Sequence, residues 1–160
     1  MLWNAADLGM TLRYRAAEAG AKAMDISVQA LGVSEPDDFD RAFAAMTGNM
    51  PDAILMVADA LTNLNRKRVF EFAAAHRLPA IYEDDRFVRD GGLMSYGPDL
   101  DESLTRVAAL VGHILKGARP ADLPFEQPTF FRFAFNLTTA KSLGLNVPPA
   151  LVALADDLIE

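Results

Sequence analysis

The chain has 160 residues, 51% hydrophobic and 23% charged. That suits one folded domain burying roughly 70% of its unfolded surface and excludes a disordered or fibrous chain. A net charge of −7, with no basic cluster longer than Arg66-Lys67-Arg68, argues against nucleic-acid binding through phosphate neutralisation. The absence of cysteine excludes disulfides, thiolate catalysis and cysteine metal sites.

Taken in order, Met1-Leu2-Trp3 reads as the tail of a strand, and Asn4-Ala5-Ala6-Asp7 as a turn and helix cap. No basic n-region and long apolar h-region open the chain, so as written it reads as carrying no export signal. No apolar run reaches the roughly 18 residues a membrane span needs, and the sequence is expected to be soluble. A helix is predicted to about Ala23, with Leu8, Leu12, Ala16 and Ala19 near helical spacing. A second strand is predicted over Asp25–Leu31. Ser34-Glu35-Pro36-Asp37 is a capping sequence for a helix that carries Phe39, Ala42, Phe43 and Met46 on one face and ends at Gly48. Ala53–Val57 is a continuous apolar run, as expected of a strand covered on both faces. Thr62 or Asn63 is expected to cap a helix reaching His76, with Val69, Phe72 and Ala73 inward.

The stretch His76–Pro98 organises the rest. It predicts a short buried strand (Ala80–Tyr82), an acidic turn and short helix (Glu83–Asp90) and a second short strand (Leu93–Tyr96). Asp99 or Asp101 then caps a long helix to Lys116 whose apolar face holds Leu100, Leu104, Val107, Ala108, Val111, Ile114 and Leu115. Pro120, Pro124 and Pro128 punctuate a loop leading to Thr129–Asn136, where Phe131, Phe133 and Phe135 alternate with other residues as in a half-buried strand. Thr138 caps a short helix ending at Gly144, and Pro148-Pro149 opens a final helix predicted to reach Glu160. This alternation implies an α/β fold, a three-layer α/β/α arrangement with a mainly parallel sheet and right-handed crossovers.

Ligands of such sheets sit beyond the carboxyl ends of the strands. No G-x-S-x-G elbow is present, and His76 and His113 lie near helix ends rather than strand ends, so no catalytic residue is assigned. G-x-G-x-x-G and the P-loop are absent, which argues against a dinucleotide or nucleotide cofactor. Glu83-Asp84-Asp85 and Asp59 follow strands. They admit three readings: a helix start suited to the macrodipole, a ligand contact, or hard oxygen ligands for Mg²⁺. A receiver-like signalling domain uses acids in this way, but it needs an acidic pair after the first strand, where Asn4-Ala5-Ala6 stands. It also needs a lysine after the fifth strand, where Ser95-Tyr96-Gly97-Pro98 stands. Trp3, Tyr82 and Tyr96 at successive strand ends are either core packing or a wall for a planar or apolar ligand.

Several segments together resemble the second half of the periplasmic substrate-binding proteins of ABC importers, in the group of tryptophan- and tyrosine-type transport proteins. They are LWN at the start, DDFDRAFAAM, RVFEFAAAHRLPAIYEDDRFVRDGGLMSYGPDL, HILKGARPADLPFEQPT and FNLTTAKSLGLNVPPALVALADDLIE. The resemblance implies one lobe of a type I periplasmic-binding-protein-like fold and a non-enzymatic role. A small organic ligand, an amino acid among the candidates, would be bound and delivered to an ABC permease, with no cofactor and no metal. Carried over to this sequence, the ligand contacts fall on Asn4, Asp59, Ala60, Tyr82, Glu83 and Tyr96, and the chain crosses to the other lobe near Gly97-Pro98. The periplasm is the location that the resemblance implies; a chain without a signal peptide would stay in the cytoplasm. The missing first lobe makes the chain read as truncated, a single lobe over 1–160 whose helix 99–116 lacks its partner lobe. Full burial of each apolar residue on that helix is worth roughly 2 kcal/mol, so a homodimer through helix 99–116 is expected to cover the face. The alternative reading is a stand-alone cytosolic domain of receiver-like type.

Overall fold

A computed structural model describes all residues from Met1 to Glu160. The chain builds β1 (Leu2–Asn4), α1 (Leu8–Ala23), β2 (Leu31–Val33), α2 (Asp38–Gly48), β3 (Ile54–Leu55), α3 (Ala60–Leu64), α4 (Arg66–His76) and β4 (Ala80–Tyr82). It continues with α5 (Asp85–Arg89), β5 (Met94–Pro98), α6 (Leu100–Leu115), β6 (Phe131–Asn136), α7 (Leu137–Leu143), α8 (Pro149–Ala153) and β7 (Asp157–Ile159).

Strands β1 and β2 pair in parallel, as do β3, β4 and β5. A parallel bridge between Leu2 and Met56 joins the two groups, giving the order β2-β1-β3-β4-β5-β6-β7. Only β6 runs antiparallel to its neighbour β5, and β7 returns parallel to β6. Side chains alternate across the pleat. Leu2, Val33, Ile54, Ala80 and Tyr82 therefore join Phe39 and Met46 of α2 and Val69 and Ala73 of α4 in the main core. Trp3 points to the opposite face, where its ring stacks on Tyr14 of α1 at 3.9 Å and donates to the Thr11 hydroxyl at 3.3 Å. Helices thus cover both faces of a mainly parallel sheet. A smaller core of Leu93, Phe135, Ala140 and Leu143 seats α7.

Four expectations need correction. The second strand forms over Leu31–Val33 rather than Asp25–Leu31, and Ile54–Leu55 is all that pairs regularly of the run Ala53–Val57. The helix reaching His76 is two helices, the first capped by Asp59 instead of Thr62 or Asn63. The final helix stops at Ala153, and Asp157–Ile159 pairs with β6 as a strand.

Candidate functional site

In the strand order 2-1-3-4-5 the connections diverge between β1 and β3. In open α/β sheets the ligand crevice lies at such a switch point, beyond the carboxyl ends of the strands. Asn4 ends β1 and Asp59 follows β3, and the Asn4 amide donates to Asp59 Oδ2 at 2.6 Å across that crevice. Asp59 also caps α3: its Oδ1 accepts from the Thr62 N–H at 2.8 Å, while the Thr62 hydroxyl accepts from the Asp59 N–H at 2.9 Å. This reciprocal capping box satisfies two orphan donors of the helix start. Thr62 is fully buried and its hydroxyl also reaches the Val57 carbonyl at 2.8 Å. The loop after β3 is thereby fixed, with Ala60 as the first residue of α3. Thr62 as a partner of Asp59 was readable in the D-x-x-T spacing.

Glu83, one residue beyond β4, is drawn to the same place. Its Oε2 accepts from the Arg13 guanidinium of α1 at 2.8 Å and from the Ala58 N–H at 3.2 Å, and its Oε1 has no partner within the chain. Arg13 gave no sequence signal, since it lies on an exposed turn of α1 far from Glu83 in the chain. The structure thus gathers Asn4, Asp59, Ala60 and Glu83 at one crevice.

The two tyrosines fall elsewhere. Tyr82 is 1% exposed, packed edge-on against Phe70 and Phe87, and burial pushes its phenol above the usual range. Its ring faces the core beneath the crevice, so it is not placed to stack on a ligand. Tyr96 is 56% exposed and lies against Phe131 of β6. Trp3, Tyr82 and Tyr96 therefore form no common aromatic wall.

Beside the crevice, a cleft of about 420 Å³ runs from Ala58 and Glu83 to Asp99 and Arg132. Most of its charges are paired with one another. Arg86 bonds the Asp84 carboxylate, Arg89 links Asp85 at 3.1 Å to Asp157 at 2.8 Å, and Arg132 Nε donates to Asp99 at 2.8 Å. Burial alone would raise the Asp84 carboxyl, but hydrogen bonds and charge from Arg86 outweigh it and leave the group below the ordinary carboxylate range. The Glu102 N–H and the Arg132 guanidinium lower Asp99 likewise. Of the three readings of Glu83-Asp84-Asp85, Asp84 takes the helix start, capping α5 through the Arg86 N–H at 2.9 Å. No group of three or more acidic or histidine side chains is arranged to hold a metal ion.

Comparison with known proteins adds three findings. Residues 5–159 match the family model described as ABC transporter substrate binding protein. No curated protein matches the sequence. Among solved structures, the chain is similar to an ABC domain in complex with L-Trp from Streptococcus pneumonia, at 22% identity and a TM-score of 0.88 over 99% of this chain and 55% of that one. It is also similar to a conserved domain protein from Vibrio cholerae, at 20% identity and a TM-score of 0.90 over 98% of this chain and 53% of that one. The ligand-free, open structure of a substrate-binding protein with adhesive properties from Clostridium difficile matches at 17% identity and a TM-score of 0.73, over 99% and 52% of the two chains. The chain spans about half the length of the structures it matches, and the likeness at these identities is one of fold.

Proposed function

The chain belongs to the family of ABC transporter substrate-binding proteins, with the fold of one periplasmic-binding-protein-like lobe; from that premise we propose that it forms one wall of a small-molecule site serving an ABC importer. The site is the crevice at Asn4, Asp59, Ala60 and Glu83. The observation that carries this reading is the pair of carboxylates held at adjoining strand ends with acceptor capacity to spare. Asp59 Oδ2 accepts only from the Asn4 amide, Oδ1 is taken up by the N–H and hydroxyl of Thr62, and Glu83 uses only Oε2. An ionised carboxylate offers about four acceptor sites, so both groups can receive the ammonium of an amino acid. The ligand class proposed is an amino acid with an aromatic or hydrophobic side chain, which the L-Trp complex of the pneumococcal structure supports. The permease would receive the ligand outside the cytoplasmic membrane.

One wall encloses less of a ligand than the 70–90% that full pockets bury, so affinity for this chain alone should be weak, with Kd about 1 mM. An NMR titration with L-tryptophan, L-tyrosine and L-leucine tests the proposal. The expected result is movement of the Asn4, Ala58, Asp59 and Glu83 amides, lost in Asp59→Asn while the remaining spectrum stays folded. Amides unmoved by any of the three at millimolar concentration, or moved equally in Asp59→Asn, would overturn it.

A further inference from the structure

Arg13 is the one cation bonded to the crevice, and most of its donors are idle. Its Nη1 donates to Glu83 Oε2 at 2.8 Å, and the guanidinium makes no other bond within the chain. A guanidinium carries five N–H groups in a planar fork, so most of the fork is left over. Other arginines are used more fully: Arg86, Arg106 and Arg132 each commit both Nε and Nη2 to carboxylates.

The backbone beneath Arg13 is held in place. Trp3 stacks on Tyr14 at 3.9 Å and donates to the Thr11 hydroxyl at 3.3 Å, which ties the turn of α1 around Arg13 to the end of β1. Glu83 is steadied in turn by the Ala58 N–H, which reaches the same Oε2 at 3.2 Å. The ion pair is therefore positioned from α1 on one side and from the loop after β3 on the other. Its side chains are still 55% and 30% exposed, and Glu83 Oε1 and the remaining Arg13 N–H groups have no partner in the chain.

An α-amino acid brings a carboxylate as well as an ammonium, both attached to the same carbon. Asp59 and Glu83 suit the ammonium and repel the carboxylate, while Asn4 and Ala60 carry no charge. Arg86 is already committed to Asp84. A cation is needed beside the acids, and Arg13 lies one hydrogen bond from Glu83.

We propose that Arg13 is the carboxylate anchor of the site. The ligand's ammonium bonds Glu83 Oε1 and Asp59 Oδ2 while its carboxylate takes the free N–H fork of Arg13, so that a zwitterion lies antiparallel to the Arg13–Glu83 pair. Bidentate pairing of this kind adds geometric selection to charge. The inference rests on the crevice reading above and sharpens it, because it selects free amino acids over simple amines and over amino acids whose carboxylate is blocked.

The test pairs L-tryptophan with L-tryptophanamide, which keeps the ring and the ammonium but has no carboxylate charge. In NMR titrations of the wild-type chain, L-tryptophanamide should bind at least about tenfold more weakly, the loss of one charge-assisted hydrogen bond. Only L-tryptophan should shift the Arg13 Nε–H resonance. Arg13→Gln should bind the two ligands alike, having lost the group that tells them apart. If Arg13 merely holds Glu83, Arg13→Gln will weaken both ligands together and keep their ratio, and that result would overturn the proposal. Equal binding of the two ligands to the wild-type chain would overturn it as well, and needs no variant; in both cases the crevice reading stands. If neither ligand moves the Asn4, Ala58, Asp59 and Glu83 amides, the crevice reading itself falls and Arg13's role falls with it.

Discussion

Gly97 sets the geometry of the site more directly than any side chain that lines it. A Cβ built there would lie 1.9 Å from the Glu83 carbonyl oxygen, so β5 can pass the end of β4 only with hydrogen at this position. Gly97→Ala forces backbone to move, and overpacking of this kind costs about 1–3 kcal/mol. The expected outcome is a lower urea midpoint with an unchanged slope, and displaced amide resonances at Ala58 and Glu83; an unaltered midpoint would contradict the close approach. At the same strand end, the carboxyls of Asp99, Glu102 and Asp84 have folded pKa values below their ordinary ones. Such groups contribute stability above the unfolded carboxylate pKa, about 4, and lose it as pH falls through the lower folded values. Stability should therefore hold between about pH 7 and pH 5 and decline below about pH 4. Asp99→Asn should be less stable at neutral pH and decline less steeply, which urea titrations at a series of pH values will show.

Among the elements, α3 is the shortest route from sequence to site. Its capping box holds the loop that presents Asp59, so Thr62→Val removes the hydroxyl that the Asp59 N–H and the Val57 carbonyl both use. A lost cap costs about 1 kcal/mol and a buried carbonyl left unpaired adds about 1–3 kcal/mol. Thermal unfolding should register both, and Thr62→Ser, which keeps the hydroxyl, should recover most of the loss. Elements whose signals are local were legible in the sequence: β4 falls on Ala80–Tyr82 as predicted, and α1, α2 and α6 end within a residue or two of expectation. Elements that depend on a distant partner were not. β2 falls on Leu31–Val33 because those residues meet Leu2–Asn4 of β1, and Asp157–Ile159 becomes a strand because the end of β6 offers a partner. The site divides in the same way. Asn4, Asp59 and Glu83 stand at strand ends that periodicity reveals. Arg13, 70 residues from Glu83 in the chain, meets it only through the fold. Tyr82 sits at a strand end too, but the pleat turns its ring inward, a difference of one residue's parity.

For the molecule as a whole, α6 poses the remaining question. Its root is fixed: Asp99 caps it through the Glu102 N–H at 2.8 Å and binds Arg132 of β6, while Glu102 accepts from the Thr129 hydroxyl at 2.6 Å and the Phe130 N–H at 3.0 Å. Beyond that clamp no residue of α6 is buried. Leu100, Leu104, Val107, Val111 and Ile114 are each 40–57% exposed, and they recur at alternating spacings of four and three. That seam is what a second helix packs against. With about half of each side chain still in water, each has on the order of 1 kcal/mol to gain from cover. Leu115 and Phe125, 82% and 108% exposed, widen the same face. We propose that two copies of this chain pair through α6 when no other lobe covers it, a symmetric contact in which one patch meets itself. Sedimentation velocity at micromolar concentration should find a dimer. Leu104→Glu and Val111→Glu place charges in the seam without touching the clamp, and each should give a monomer with unchanged circular dichroism. A wild-type monomer across the concentration range would show that the stripe is tolerated in water, and would remove the dimer from the account while leaving the crevice at Asn4, Asp59 and Glu83 as it stands.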